Sequence, residues 1–241
     1  VKEEGVPENN EKIEIIEPHS VVLYPSFDEV QDFPRVLEVA GRTCYKSEDK
    51  ITGESNCKFI EKIRDSGHHS VLEHCSITVK IVGDRSMSHQ LVRHRIAAFS
   101  QESMRYCDYS RDKFGKLQVI CPPKIQQEGE NRVDKFARWS CCIEECYRAY
   151  LDLREMGVPA EDARSVLPQA TKTEVVTTFN VRQWRHVFEH RALNSKAQWQ
   201  IRRLLCGVLL SLAEATPILF GDLREKMGEL ADAEAFPCTW A

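Results

Sequence analysis

Three side chains suited to anion binding or acid–base work stand in a row at Arg93, His94 and Arg95, inside the stretch Q-L-V-R-H-R-I-A-A-F-S-Q-E-S-M-R-Y at residues 90–106. An apolar run follows at 96–99, and then a polar cluster of Ser100, Gln101, Glu102, Ser103 and Arg105. A solvated helix face would intersperse its charges with apolar residues. Here a cationic patch and a hydrogen-bonding patch flank an apolar hinge, which suits a phosphate on one side and a flat polar ring on the other.

Three further blocks exceed an ordinary surface: G-H-H-S-V-L-E-H at 67–74, A-R-S-V-L-P at 163–168, and F-N-V-R-Q-W-R-H-V-F-E-H-R at 179–191, the last followed by A-Q-W-Q-I-R at 197–202. Arginine is the side chain that grips phosphate through two parallel hydrogen bonds. Arg182, His186 and His190 are spaced four apart and so share one helix face, and Asn180 stands where it can cap that helix.

Several other chemistries lack their motifs. No two glycines are separated by a single residue, so no GxGxxG loop exists, and neither a P-loop nor a GxSxG elbow is present. The histidines at 68, 69 and 74 do not follow a recognised zinc spacing, and no metal is expected. The ten cysteines show no CxxC and no secreted-scaffold pattern, which points to reduced thiols and a cytoplasmic location. A net charge of -4 argues against bulk attraction to nucleic acid or acidic membrane. The first thirty residues are acidic and broken by prolines, unlike a signal peptide, and the longest apolar run, at 204–213, is too short to span a bilayer. The sequence starts at Val1, so upstream residues are expected to have been removed.

These groups need elements to position them. A loose tail is expected at 1–10, then two short strands or a hairpin-like pair over 12–24, and helices over 32–44 and 57–66, the second closed by Gly67. Alternation predicts a strand at 75–82, and Asp84 or Ser86 caps a helix running to about Arg95, with Arg93 one turn beyond Gln90. A strand at 117–121, a loop at 124–130, a long core helix at 131–156, a short helix at 159–167 and a strand at 173–179 follow. Helices are expected at 181–191, 196–214 and from Pro217, with an irregular end. Strands mixed with long helices, without regular alternation, predict one α+β domain over 11–241 with a mixed or antiparallel sheet.

The four blocks, in this order, resemble the flavin-dependent thymidylate synthases, whose R-H-R-x7-S signature matches Arg93 to Ser103; the resemblance covers about 42–202. It implies a homotetramer with FAD across subunit interfaces. It also implies reductive methylation of dUMP to dTMP in de novo thymidylate biosynthesis, with methylenetetrahydrofolate as carbon donor, NADPH as reductant and no cysteine nucleophile. By position, it places Gln90, Arg93, Gln101, Glu102, Ser103, Met104, Arg105 and Arg164 at the nucleotide. It places His68, Ser70, Glu73, Arg93, His94, Arg95, Gln101, Asn180, Arg182 and His186 at the flavin, with His186 where others carry asparagine. Arg191 matches the catalytic arginine beside the pyrimidine, which stabilises negative charge as the ring is activated. On the residues alone, a silent nucleotide-binding module and a zinc hydrolase remain as rivals; intact Arg164 and Arg191 argue against the first. If no thiol attacks the ring, changing each of the ten cysteines singly to serine leaves turnover measurable. One folded, flavin-loaded but inactive variant in an assay of dTMP formation would restore the thiol mechanism.

Overall fold

The structure is a computed structural model that describes residues 13–129, 131–228 and 234–241; the tail expected at 1–10 lies outside them. The chain divides into two compact units, one of Val1–Glu17, Gly83–Ser88 and Gln101–Thr173, the other of Pro18–Val82, His89–Ser100 and Glu174–Ala241. The strands are β1 (Ile13–Ile15), β2 (His19–Tyr24), β3 (Ser76–Asp84), β4 (Ala98–Gln101), β5 (Leu117–Val119), β6 (Lys172–Asn180) and β7 (Cys238–Trp240). The helices are α1 (Phe27–Gln31), α2 (Phe33–Thr43), α3 (Ser55–Asp65), α4 (Arg85–Leu91), α5 (Pro123–Gln126), α6 (Arg132–Glu155), α7 (Ala160–Ala163), α8 (Val181–Val187), α9 (Trp199–Ala215) and α10 (Pro217–Met227). The fold is α+β with a mixed sheet, as composition and pattern predict.

The larger sheet has the order β4-β6-β3-β2-β7, with β2 antiparallel to β3 and parallel to β7. The alternation in β3 and β6 is that of strands with one buried face, visible at Ile77, Val79 and Ile81 and at Val175, Thr177 and Phe179. In the larger unit α9 is apolar nearly all round and therefore buried. Phe236 crosses it so closely that a Cβ on Gly207 would lie 1.9 Å from the Phe236 carbonyl oxygen, so only glycine fits there. Trp184 of α8 is fully buried and its indole N–H donates to the Ile77 carbonyl at 3.1 Å, which ties α8 to β3.

The smaller unit packs one face of α6 (Ile143, Tyr147 and Tyr150) against Leu117, Val119 and Met104. Its polar centre is Asp108, which receives Nη2 of Arg154 at 2.7 Å, the hydroxyl of Ser110 at 2.6 Å and that of Tyr150 at 3.0 Å. These donors, Arg154 foremost, hold its carboxyl well below the usual carboxylate range against the opposing effect of burial.

Several expectations are corrected. Of the two alternatives over 12–24, two short strands form and the hairpin-like pair does not, because β1 pairs parallel with β5 and β2 joins the other sheet. The segment 124–130 holds a short helix, started by Pro123 at its first position. The helix expected from 196 begins at Trp199, where Gln198 caps it. The end is not wholly irregular, since β7 adds to β2. The core residues of α6 begin at Ile143; no residue over 132–142 is buried, although Trp139 packs against the core. No helix among the described residues is long and apolar enough to cross a membrane.

Replacing Asp108 by Asn leaves Arg154 with a neutral partner inside this polar centre. Chemical denaturation is expected to show a loss of about 3 kcal/mol at neutral pH. Because the native carboxyl is depressed, the wild-type advantage holds above the ordinary carboxylate range near pH 4 and fades as pH falls below it.

Candidate active site

The R-H-R triplet does not continue α4. Asp84 caps that helix, its carboxylate accepting the Met87 N–H at 2.7 Å, but the helix stops at Leu91. A tight turn follows, closed by the N–H groups of Arg93 to the Gln90 carbonyl at 3.3 Å and of His94 to the Leu91 carbonyl at 3.2 Å. Ile96 then takes φ +65° and is 80% exposed, a strained conformation for a β-branched residue that costs of order 1–2 kcal/mol. The chain thereby swings directly into β4, so the apolar run is no hinge; its second half is sheet. The turn sorts the triplet: Arg93 and Arg95 face solvent, whereas His94 is 8% exposed.

His94 meets Arg191 in the larger unit. Nε of Arg191 donates to Nε2 of His94 at 3.0 Å, and Nη1 to Oε1 of Gln90 at 3.4 Å. Arg191 lies on a π-helical turn, Phe188–Ala192, that continues α8. The Leu193 N–H reaches back five residues to the Phe188 carbonyl at 2.9 Å. This widened turn shifts the register of everything after Val187, and such turns recur at functional sites. Asn180 caps α8 as its position predicts, accepting from Gln183 N–H at 2.8 Å. His186 stands edge to face with His94, ring centroids 6.0 Å apart, and packs on His190 at 4.1 Å.

Burial foremost, then the charge of Arg191 and the neighbouring His186 and His190, pushes the His94 imidazole down to about 4. It is therefore neutral near pH 7. Since its Nε2 accepts from an arginine, its ring proton is assigned to Nδ1.

A second group in the same unit surrounds a cleft of about 370 Å³, lined by Cys44, Tyr45, His68, His69, Ser70 and Arg182 among others. Glu73 pairs with Arg182 at 2.5 Å at the surface. Ser70 and Glu73 belong to a 3-10 turn, His69–His74, entered through Gly67 at φ +76° beyond the end of α3.

In the smaller unit, Gln101 donates to the hydroxyls of Ser88 at 3.0 Å and Thr173 at 3.1 Å. Both oxygens of Glu102 are engaged, by Lys172 at 3.2 Å and the Tyr109 hydroxyl at 3.0 Å. Ser103 accepts the Arg105 N–H at 3.3 Å. Met104 is buried in the core, so any ligand contact there falls to its backbone. Arg105 and Arg164 come together at Glu161, the first on its carboxylate at 3.2 Å and the second on its carbonyl at 3.0 Å. The Arg105–Glu161 pair is about half exposed and worth roughly 1 kcal/mol or less, so a phosphate can displace the carboxylate. Lys172, Tyr109 and Glu161 escaped the reading of the sequence, because nothing in their spacing marks them.

Comparison with known proteins gives this geometry its family. The family described as thymidylate synthase complementing protein matches residues 27–218. A flavin-dependent thymidylate synthase of Geobacter sulfurreducens is 38% identical over 193 residues, 77% of this chain and 80% of the relative. That of Nitratidesulfovibrio vulgaris is 36% identical over 226 residues, 84% of this chain and 88% of the relative. That of Pyrococcus furiosus is 35% identical over 179 residues, 74% and 71% of the two chains. The chain belongs to the flavin-dependent thymidylate synthase family.

A flavin-dependent thymidylate synthase needs room and donors for a flavin nucleotide. The cleft beside Arg182 offers a guanidinium, imidazoles and a hydroxyl for phosphoryl or polar ring atoms, and an exposed tyrosine ring at Tyr45. That donor set and volume fit part of such a molecule. The buried imidazole beneath Arg191 has a consequence for stability. The native His94 binds its proton only near pH 4, against 6.5 for the free side chain, so below pH 6.5 the unfolded chain takes up a proton the native state refuses. Stability is therefore expected to fall from pH 6.5 toward 4, and His94→Gln to flatten that fall in urea titrations at pH 7.5 and 5.

Proposed function

We propose that the chain carries out the reductive methylation of dUMP to dTMP, with FAD as its flavin, NADPH as reductant and methylenetetrahydrofolate as carbon donor. The observation that carries this reading is Arg191, oriented by two neutral acceptors, His94 and Gln90, and so left with its full charge. A uracil ring becomes nucleophilic at C5 when negative charge accumulates in it. A fixed guanidinium at its polar edge stabilises that charge where it develops and cannot surrender a proton to it. Arg105 and Arg164, with the exposed Arg93, supply cations for the 5′-phosphate. Gln101 and Ser103, beside them in sequence, offer polar groups to sugar and base.

His68, Ser70 and Arg182 would hold FAD, with Glu73 orienting Arg182. His94, Arg95, Asn180 and His186 complete the proposed flavin contacts, together with Arg93 and Gln101. Bound FAD supplies the two-electron redox chemistry that no side chain here can supply. Burial pushes the Cys75 and Cys121 thiols up to about 11, far from thiolate at neutral pH, which weighs against either of these two as a nucleophile. A single domain over 11–241, assembly as a homotetramer with sites shared between subunits, and a cytoplasmic location complete the proposal.

Purified protein with FAD, NADPH, the folate and dUMP is expected to form dTMP; no product from anaerobic, flavin-replete protein overturns the reading. Arg191→Ala is expected to lower turnover by about 100-fold or more while flavin stays bound, read from product formation and the visible flavin absorbance. Loss of flavin from that variant would move Arg191 to the cofactor.

A further inference from the structure

We propose that His94 is a positioning residue for Arg191: its neutral imidazole accepts the Arg191 Nε–H and so sets the plane in which the guanidinium meets the pyrimidine. This rests on the function proposed above and goes beyond the flavin contact that the R-H-R resemblance implies for His94. The geometry is specific. Nε2 of His94 lies 3.0 Å from Nε of Arg191, and Oε1 of Gln90 takes Nη1 at 3.4 Å, so the guanidinium is held at two of its nitrogens by the two ends of a single turn. The turn is itself closed by the backbone bonds at Gln90 and Leu91. The imidazole cannot swing away, because it is buried and His186 stands edge to face against it.

The type of acceptor matters as much as its place. A carboxylate at this position would orient Arg191 equally well but would neutralise it. Both acceptors here are uncharged, so the guanidinium is oriented and its charge stays available. An imidazolium would lose the acceptor lone pair and repel Arg191. Asymmetry in the triplet follows: Arg93 and Arg95 could serve as cations on any exposed turn, whereas His94 acts only at its depth and angle.

The test uses full-length, FAD-loaded His94→Gln and His94→Phe proteins. Glutamine places an oxygen near the position of Nε2; phenylalanine fills the volume without an acceptor. His94→Phe is expected to lower kcat per bound flavin by about 10- to 100-fold with KM for dUMP within about twofold of wild type. His94→Gln is expected to recover to within about fivefold of wild type. A second readout needs no turnover. 5-Fluoro-dUMP ionises at N3 more readily than dUMP, and calorimetry can compare the two as pH passes through that ionisation. Wild type and His94→Gln are expected to favour the ionised analogue, and His94→Phe to lose that preference while binding dUMP unchanged.

Should His94→Phe not fold, His94→Asn replaces it, since its oxygen stops short of Arg191 and the same losses are expected. Wild-type kcat per bound flavin in the variant without an acceptor, or an effect confined to KM, overturns the proposal. Wild-type protein that makes no dTMP overturns the assigned reaction instead, and the preference for the ionised analogue then still decides the role of His94.

Discussion

The site depends on holding an arginine still without cancelling its charge. Two arginines of this chain show the usual solution. Arg154 is locked on Asp108 and Arg185 on Asp222, the latter through two parallel contacts of 2.7 Å, and both pairs serve the fold. A buried carboxylate orients a guanidinium strongly but leaves little field for a third group. Arg191 is handled differently: its partners, an imidazole and an amide, are neutral. That difference separates arginines that staple the structure from one that is held in place with its charge left available.

Neutrality at His94 is itself a product of packing. The side chain is buried among Arg191, His186 and His190, and each of these, like burial itself, disfavours a proton on the ring. The backbone maintains the arrangement at some cost. Ile96 sits in the left-handed region, and the helix carrying Arg191 widens into a π turn. Strained backbone and π turns concentrate where side-chain placement outweighs stability. The surrounding anchors, Trp184 on Ile77 and the Asn180 cap, are satisfied and conventional, which lets the strained pieces persist.

The residues proposed for the phosphate follow a looser logic. Arg105 is parked on Glu161 at the surface, and Arg164 on the same residue's carbonyl, so both are held near one another by contacts weak enough to be exchanged. Glu102 and Gln101 are held more firmly, through Lys172, Tyr109, Ser88 and Thr173. Positions that sequence resemblance groups as one loop thus divide into fixed scaffold and movable cation.

Much of this was legible in the amino-acid order. Period-two alternation located β3 and β6, helical periodicity located α2, α3 and α6, and the Asn180 cap was readable because a short polar side chain before an apolar run has few other uses, whereas the structure chose Asp84 over Ser86. The four blocks pointed to the family through their resemblance, and their residue types carry charge and donor capacity wherever they lie. Tertiary structure decided the rest. That α4 ends at Leu91, that α8 widens before Arg191, and that β1 pairs with β5 all depend on contacts between distant segments, which local periodicity does not encode. Whether an arginine meets a carboxylate or an imidazole is of the same kind: the order of residues determined that guanidinium groups are present, and only packing determined which of them keeps its charge free.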